Sequence, residues 1–299
     1  MGLLRESHIP PILDIPSLNG QSVLITGGSK GLGFEAARQL MRLDVSTIIL
    51  AQRNLSDGNA AKKALEDEFG GEHSSDQATT PRTIHVLSLD LKRPDSLLGF
   101  TEELNRVTSG NGINLALLNA GMNRIDWEQT PAGNEEVLQI NYLSNALLSI
   151  LLLPLLNKAA KNFKLPSRLV LVSSGTQSMN DLATILPSPE ADIFAKLNDR
   201  KLYSPRHRYG DSKLLLSMWT NELAKHVDSS AILINSVCPG MCATDFDAGL
   251  PWYVRIVMHG VRKIHARTAE EGGRTYVHAL TLAGPESHGQ FLQHLKISR

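Results

Sequence analysis

The sequence predicts an α/β fold, with one doubly wound parallel sheet and helices on both faces. Two observations predict it. Short apolar runs that stop at small or polar residues alternate with segments of helical periodicity, and a glycine-rich turn joins the first such run to the first helix. The 299 residues contain no internal repeat, linker or low-complexity block. A single catalytic domain is therefore expected over residues 21–299, preceded by a proline-containing arm over residues 1–20.

The first half of the chain alternates regularly. The predicted strands are Ser22–Thr26, Thr47–Ala51, Ile84–Leu89 and Ile113–Leu118, and the predicted helices are Phe34–Leu43, Leu55–Phe69 and Pro94–Val107. Residues 70–81 are polar and contain glycine and proline, which predicts a surface loop. Strands joined through helices pair in parallel, which is the basis of the predicted sheet.

The second half continues the alternation with longer connections. The predicted elements are a helix over Glu135–Leu153, a strand over Arg168–Val172, a polar excursion over residues 175–208, a helix around Tyr209, a strand over Ala231–Val237 and a short strand over Gln290–Leu292. Thr268 is followed three residues later by Glu271, which predicts a capping box at the start of a last helix.

Composition and charge argue against several kinds of partner. Lys+Arg and Asp+Glu number 30 each, so the whole chain has no charge excess that favours nucleic acid or an anionic membrane. The two cysteines, Cys238 and Cys242, fit neither a zinc nor a redox pattern, and no metal site is predicted. The most apolar run, Ala146–Leu156, is too short to span a bilayer. The N-terminus is untypical of a signal peptide, so a cytoplasmic location is expected.

The glycine-rich turn predicts a phosphate site. Residues 26–33, TGGSKGLG, lie between a strand and a helix, where backbone N–H groups and a helix N-terminus can bind phosphate. A tight strand-to-helix connection is the alternative. A second strand at the right distance favours the dinucleotide interpretation, which is a Rossmann-type arrangement.

The end of the second predicted strand favours NADP(H) over NAD(H). An acidic residue would hold the adenosine ribose of NAD here, but the chain has Gln52, Arg53 and Asn54. Arg53 and Lys30 are two cations that would attract a 2′-phosphate. The alternative is that both are ordinary solvated surface charges.

Tyr209 and Lys213 are four residues apart in a predicted helix, which places them one turn apart on one face. A free phenol titrates near ~10, so acid/base work at pH 7 needs a shift of about three units, or about 4 kcal/mol. One cation at about 4 Å, with an effective dielectric near 20, supplies roughly that. An ordinary exposed pair has the same spacing. Two rival phenols, Tyr142 and Tyr203, have no lysine four residues on.

Taken in order, these motifs resemble the short-chain dehydrogenase/reductase family, in its larger retinol-dehydrogenase-like type. The matching set is T-G-x-x-x-G-x-G at residues 26–33, Asp90-Leu91, Asn119-Ala120-Gly121, Asn141, Ser174, Tyr209 with Lys213, and Pro239-Gly240 with Thr244. Two features resemble the larger type. Residues 175–208 separate the serine from the tyrosine, which lie much closer together in smaller members, and the sequence before the tyrosine reads Leu202-Tyr203-Ser204-Pro205, as it often does in the larger type.

The resemblance implies four catalytic residues. Tyr209 would donate or remove the substrate proton, and Lys213 would lower the pKa of the tyrosine and bind the nicotinamide ribose. Ser174, rather than Ser173, would hydrogen-bond the substrate oxygen. Asn141 would kink its helix and hold a water in a proton relay to Lys213.

The resemblance also implies the cofactor contacts. The pyrophosphate would lie against Thr26, Gly27, Ser29, Lys30, Gly31, Leu32 and Gly33. Asp90 and Leu91 would flank the adenine, and Asn119, Ala120 and Gly121 would line the adenosine ribose side. Pro239, Gly240, Met241 and Thr244 would pass beside the nicotinamide.

Three segments are predicted to border the substrate, namely residues 123–134, 175–208 and 244–266. The third carries Phe246, Leu250, Trp252, Tyr253, Ile256, Val257 and Met258. These side chains are expected either to form an apolar lid over a hydrophobic ketone or alcohol, or to pack a helix on the domain by its apolar side. The basic residues of this segment, His259, Arg262, Lys263 and His265, are expected to form a solvated face.

The predicted function is therefore NADP(H)-dependent hydride transfer between a hydrophobic ketone and a secondary alcohol. Two alternatives remain, namely a non-redox enzyme on the same scaffold (an isomerase, dehydratase or cyclase) and a non-catalytic binding protein. The intact Asn-Ser-Tyr-Lys set favours the first hypothesis. The resemblance further implies a homodimer or homotetramer, with the Asn141–Leu156 and Tyr209–Lys225 helices as the contact faces.

Overall fold

A computed structural model describes residues 8–70, 82–186, 188, 192–244 and 252–298, without the side chain of Met258. Its sheet has eight strands in the order β3-β2-β1-β4-β5-β6-β7-β8. The strands are β1 (Ser22–Thr26), β2 (Thr47–Gln52), β3 (Thr83–Ser88), β4 (Leu115–Leu118), β5 (Ser167–Val172), β6 (Ile232–Cys238), β7 (Phe291–Gln293) and β8 (Lys296–Ile297). All pairings are parallel except that of β8 with β7. The predicted fold class is confirmed, and β8 is an element that the sequence did not indicate.

Alternate residues of the central strands face two separate cores. Ile25, Leu50 and Leu117 contribute to one core, and Leu24, Ile49 and Ala116 contribute to the other. The first core is covered by α1 (Gly31–Met41), α2 (Leu55–Phe69) and α10 (Ala269–Thr281), and the second by α3 (Pro94–Val107), α5 (Ser144–Phe163) and α8 (Arg208–Lys225). Because both faces are covered, the central strands contain continuous apolar runs, such as residues 23–25 in β1 and Leu115–Leu118 in β4, rather than alternating residues.

The helix predicted over Glu135–Leu153 is longer than expected. It begins as α4 (Glu136–Leu138), passes through a π-helical turn over Gln139–Leu143, and continues as α5 to Phe163. The predicted end at Leu153 is wrong because the helix runs on through Pro154. Pro154 has no backbone N–H to donate to the carbonyl oxygen of Ile150. Because Ile150 is 45% exposed, water can hydrogen-bond that oxygen instead.

The combined helix Glu136–Phe163 is long and apolar enough to cross a membrane by length and composition alone. However, 61% of its most apolar stretch is buried within the fold. Leu148, Leu152 and Leu156 are fully covered in the second core. The helix therefore serves as a core element of the domain.

The excursion over residues 175–208 contains short helices rather than a plain loop. They are α6 (Leu182–Ile185), α7 (Ile193–Leu197) and two 3₁₀ turns, Gly175–Met179 and Arg200–Leu202. Asp192 caps α7, since its carboxylate accepts from the backbone N–H groups of Phe194 and Ala195. Residues 187 and 189–191 of this segment, and residues 71–81 of the predicted surface loop, lie outside the described part of the chain.

The segment after Thr244 forms α9 (Trp252–His265). Its large apolar side chains are exposed, with Trp252 at 72% and Val257 at 64%. The alternative that this helix packs on the domain by its apolar side is therefore wrong. The predicted solvated basic face is also wrong in part, because Arg262 and His265 are half-buried and Arg262 donates to the carbonyl oxygen of Thr244. Phe246, Leu250 and the side chain of Met258 lie outside the described residues.

The arm before the first strand packs against α10, which begins with a capping box. Thr268 and Glu271 form the predicted capping box, with the Thr268 hydroxyl accepting from the Glu271 N–H at 3.1 Å. In the arm before the first strand, Ile9 and Leu18 are buried, and Arg274 of α10 donates to the carbonyl oxygen of Ile9. The described part of the arm, from residue 8 onward, therefore packs on the domain.

Candidate active site

The glycine-rich turn has a compact shape that depends on its glycines, as Gly27 and Gly33 illustrate. Gly27 has φ +67°, in the left-handed region that disfavours other residues. A Cβ atom at Gly33 would lie 2.5 Å from the carbonyl oxygen of Gly27. The Asn119 amide donates to that same oxygen at 3.1 Å and to the carbonyl oxygen of Thr26 at 3.0 Å. The compact turn leads directly into α1, whose N-terminus has no side-chain cap and could bind a phosphate of a dinucleotide.

Gln52 supports this turn, although the sequence indicated it only as part of a strand end. When its amide is oriented by its neighbours, the oxygen accepts from the backbone N–H of Ser29 at 2.9 Å and the nitrogen donates to the Ser29 hydroxyl at 3.2 Å. The side chain is 7% exposed. The only sign of this role in the sequence is its position as the last residue of β2, directly before Arg53. The spacing does not show that the Gln52 side chain turns toward the glycines.

The carboxyl ends of β1 and β4 lie side by side, where the order of strands reverses. Ligands of open α/β sheets bind at this switch point. The backbone N–H of Ala120 donates to the Thr26 hydroxyl at 2.9 Å. A Cβ atom at Gly121 would lie 3.1 Å from the Asn141 amide oxygen and 3.4 Å from the Lys213 ammonium. Three residues distant in sequence, namely Gly121, Asn141 and Lys213, therefore converge at this edge.

Asn141 lies in the middle of the π-helical turn, a feature often found at functional sites. Its amide oxygen accepts from the Met122 N–H at 2.8 Å and its nitrogen donates to the Met122 carbonyl oxygen at 2.9 Å. The nitrogen also donates to the Ser212 hydroxyl, one residue before Lys213. Asn141 thus joins the loop after β4 to the helix that carries Tyr209.

Lys213 is fully buried and lies against the ring of Tyr209. Its ammonium is 5.6 Å from the ring centroid and donates to the carbonyl oxygen of Val172 at 2.7 Å. Burial lowers the pKa of Lys213 to about 8, and the nearby Cys238 opposes this slightly. The amine is therefore held as a cation at neutral pH but titrates within reach of ordinary assays.

The two adjacent serines have different surroundings. Ser173 is 1% exposed, and its hydroxyl donates to the Lys213 carbonyl oxygen at 3.0 Å and contacts the Ser217 hydroxyl at 2.8 Å. Ser174 is half-buried, and its hydroxyl oxygen accepts from Thr176. The Ser174 hydroxyl keeps its own proton available for donation, whereas Ser173 serves to hold α8.

Gly210 brings the turn after Ser174 directly onto the start of α8. A Cβ atom at Gly210 would lie 2.7 Å from the Thr176 carbonyl oxygen and 3.1 Å from that of Met179. A larger residue would push the turn away. The glycine therefore sets the distance between Ser174 and the neighbouring Tyr209.

Three other phenols are poorly suited to acid/base work. Burial raises the pKa of Tyr142 above its ordinary value. Burial also raises the pKa of Tyr203, whose hydroxyl donates to the Arg124 carbonyl oxygen at 3.1 Å. Tyr276, a phenol that the sequence did not single out, is fully covered, and burial raises its pKa well above the usual range.

A buried ion pair joins the Tyr209 helix to the helix that carries Asn141. The Arg208 Nε lies 3.7 Å from a carboxylate oxygen of Glu135, and both side chains are at most 1% exposed. The Glu135 carboxylate also accepts from the N–H groups of Val137 and Leu138. The sequence missed this pair because its members are 73 residues apart.

Two of the predicted substrate segments contact each other. The Asn198 amide donates to the Asn134 side-chain oxygen at 3.0 Å. The guanidinium of Arg200 lies over the ring of Trp127 at 5.7 Å, and the Tyr203 hydroxyl reaches the backbone of Arg124. Segments 123–134 and 175–208 thus form a joint wall, while residues 245–251 of the third segment lie outside the described part of the chain.

The segment Pro239–Thr244 returns to the glycine-rich turn. Gly240 has φ +78°, and the Arg267 guanidinium donates to the Pro239 carbonyl oxygen at 2.7 Å. A Cβ atom at Gly31 would lie 3.6 Å from the Thr244 methyl group. Met241 is held through its carbonyl oxygen, which accepts from the Arg267 N–H. The expected nicotinamide-side segment and pyrophosphate-side turn are therefore neighbours.

The two cations predicted to attract a 2′-phosphate lie in the glycine-rich turn and directly after β2. Lys30 and Arg53 are both exposed. A cleft of about 340 Å³ opens beside Lys30, between α1 and α2, lined by Ser29, Lys30, Phe34, Asp57, Ala60, Ala61 and Ala64. The cleft adjoins the glycine-rich turn through Ser29 and Lys30, and its lining includes neither Tyr209 nor Lys213.

Asp90 and Leu91 differ from each other in accessibility. Asp90 is half-buried, and its carboxylate accepts from the Lys92 N–H at 3.0 Å. Leu91 is 6% exposed and belongs to the second core, so it offers mainly its backbone to a ligand.

Over the described residues, no three His, Cys, Asp or Glu side chains are grouped as a metal ion would need.

Comparison with known proteins points to one family. Residues 21–180 match the model of a family described as short chain dehydrogenase. A short chain dehydrogenase of Arthrobotrys oligospora is 42% identical over 287 residues, which cover 95% of this chain and 85% of that protein. A short-chain dehydrogenase/reductase of Talaromyces stipitatus is 35% identical over 287 residues, covering 96% of this chain and 85% of that protein.

Solved structures share the fold at lower identity. The NADPH-bound carbonyl reductase from chicken fatty liver has a TM-score of 0.64 at 22% identity, covering 93% of this chain and 98% of that one. The RhlG/NADP active-site complex of Pseudomonas aeruginosa has a TM-score of 0.66 at 20% identity, covering 92% of this chain and 95% of that one.

Proposed function

The chain belongs to the short-chain dehydrogenase/reductase family of oxidoreductases, and from that membership we propose an NADP(H)-dependent enzyme that interconverts a hydrophobic ketone and its secondary alcohol. The convergence of Lys213, Asn141 and Gly121 beside Tyr209 carries the proposal. A nicotinamide bound at this edge would supply or accept the hydride. The turn with Gly27 and Gly33 could hold such a cofactor, because a side chain at Gly33 would collide with the Gly27 carbonyl oxygen and the Asn119 amide and force the compact turn apart.

In the proposed reaction, the chain's own groups handle the proton. The Ser174 hydroxyl donates a hydrogen bond to the substrate oxygen, and the Tyr209 phenol gives its proton to that oxygen during reduction. The Lys213 ammonium, 5.6 Å from the phenol ring, stabilises the negative charge left on Tyr209. In the oxidation direction the same groups act in reverse, so the geometry serves both a ketoreductase and an alcohol dehydrogenase.

The preference for a hydrophobic substrate rests on the excursion between the two proposed catalytic residues. Met179, Phe194 and Leu202 leave between 38% and 50% of their surface exposed there. Together with the wall that this segment forms with residues 123–134, these side chains favour an apolar carbonyl compound over a charged one.

The decisive experiment measures the loss of NADPH absorbance with a panel of aromatic and polycyclic ketones. Tyr209→Phe should lower kcat by about 10²–10⁴-fold while NADPH binding is retained. Tyr203→Phe is the matched control and should keep most of its activity, since its hydroxyl only joins two loops. Equal activity of Tyr209→Phe and wild type would refute the acid/base assignment. NADPH binding without turnover of any ketone would favour the non-redox or non-catalytic alternative.

The choice of NADP(H) rests on Lys30 and Arg53, and on the lack of a carboxylate at the end of β2. NADP complexes among the structural neighbours support it. Arg53→Ala should raise KM for NADPH by about tenfold or more, the worth of a hydrogen bond to a charged group, and leave KM for NADH unchanged. Lys63→Ala, an exposed cation on α2, serves as the control. An unchanged ratio of the two KM values would refute the preference.

A further inference from the structure

Helix α9 presents an apolar stripe to the outside of the described fold. Five large side chains of one stripe are more than half exposed, namely Trp252, Tyr253, Ile256, Val257 and Ile264. Two aromatics of about 150–250 Å² each with three branched aliphatics make a patch on the order of 500 Å². Patches of that size mark interaction sites on soluble domains.

The rotation of the helix about its axis is set by its other side. Val254, Val261 and His265 are half-buried, and Arg262 donates to the carbonyl oxygen of Thr244. The Arg262 hydrogen bond joins the helix to the segment that follows β6. The apolar stripe therefore faces away from the side by which α9 is attached.

The flank of the stripe is basic. Arg255, His259 and Lys263 follow one another at intervals of four residues, so they form a row along the helix, and all three are exposed. The helix contains no Asp or Glu over its 14 residues, whereas the whole chain has 30 acidic and 30 basic residues. The local charge thus differs from the neutral balance of the molecule.

We propose that α9 binds the surface of an anionic phospholipid membrane, lying in the plane of the interface. The apolar stripe would enter the boundary between headgroups and acyl chains, and the basic row would meet lipid phosphates. Trp252 and Tyr253, in the first turn, are the residue types favoured at that boundary. This proposal is independent of the chemistry proposed for Tyr209.

The positive charge of α9 argues against a second copy of the chain as the binding partner of this surface. A pair of α9 helices would bring two basic rows together with no carboxylate on either helix to neutralise them. An anionic bilayer satisfies the apolar stripe and the basic row at once.

The test is co-flotation of the full-length protein with phosphatidylcholine vesicles, with and without phosphatidylserine. Wild type should float only with the anionic vesicles. Neutralising both cations in Arg255→Gln/Lys263→Gln should weaken binding by about fivefold per charge, so roughly 25-fold in total. Ile256→Ser should weaken it by about tenfold.

Two matched variants control for general charge and apolarity. Lys161→Gln/Lys164→Gln removes two exposed cations at the end of α5, and Leu98→Ser removes an exposed leucine on α3. Both should float like wild type, and circular dichroism should show all four variants folded. Equal flotation with neutral vesicles, or no flotation of wild type, would overturn the proposal. So would a dimer, seen by analytical ultracentrifugation, that Ile256→Ser dissociates.

Discussion

The buried amine of Lys213 should make the stability of the unliganded protein rise in alkaline solution. Its pKa falls from 10.5 to about 8 on folding because burial penalises the charged form. Between these two values the unfolded chain holds the proton and the folded chain does not. The free energy of unfolding therefore increases with pH across that window. Below about pH 8 both states are protonated, and Lys213 costs the fold roughly 3 kcal/mol.

Replacement by methionine removes this cost. At pH 7 Lys213→Met should be more stable than wild type by about 2 kcal/mol, since about 1 kcal/mol is lost with the hydrogen bond to Val172. The advantage should shrink and then reverse as pH approaches 10. At the same time kcat should fall by about a hundredfold at pH 7. If the 5.6 Å between the ammonium and the centroid of the Tyr209 ring is taken as the separation of the charges, the cation stabilises the phenolate by about 3 kcal/mol at an effective dielectric of 20.

Urea unfolding at several pH values between 7 and 10, followed by circular dichroism, measures the difference between the two proteins. Lys161→Met, which replaces an exposed lysine on α5, is the control and should show no such trend. A stability difference between wild type and Lys213→Met that stays constant over the whole range would refute the reasoning. It would mean that the amine does not change its protonation in this window.

Three further predictions concern the surroundings of the proposed catalytic residues. Gly210→Ala should lower kcat at least tenfold and cost about 1–3 kcal/mol, because its methyl group would displace the turn after Ser174, and unchanged kinetics would contradict that packing. In urea unfolding, Arg208→Met alone should lower the free energy of unfolding by about 3–5 kcal/mol, because it leaves the Glu135 carboxylate buried without its cation. The double variant Arg208→Met/Glu135→Gln should recover most of that loss, and purely additive costs of the two substitutions would argue against the ion pair. Ser174→Ala should lower kcat about 10²–10³-fold with little change in stability, while Ser173→Ala should cost about 1 kcal/mol or more and keep more activity, and the reverse pattern would exchange their roles.

The order of the elements was predictable because each element has a local pattern. The strands around Leu24 and Ile49 are continuous apolar runs, as strands buried on both faces must be. The capping box at Thr268 involves two residues only three positions apart, so it can be recognised in the sequence. The helix through Pro154 was harder, because whether a proline ends a helix depends on which side of the helix faces water.

The identity of the site residues was partly predictable and partly not. The spacing of Tyr209 and Lys213 and the glycines of residues 26–33 could be recognised in the sequence. The support of the turn by Gln52 depends on a side-chain direction that no spacing encodes. The same holds for the ion pair of Arg208 and Glu135, since two residues so far apart in the sequence form no local pattern that would reveal their contact.

The sequence by itself determined the succession of the first seven strands, the glycine-rich turn and the one-turn spacing of the phenol and the amine, because these follow from local patterns of a few residues. The tertiary structure alone decided that Ser173 is buried against α8 while Ser174 is accessible, and that the apolar stripe of α9 faces outward. Both outcomes depend on which neighbour covers a side chain. That neighbour is supplied by distant parts of the chain, whose approach is set by packing rather than by order along the sequence.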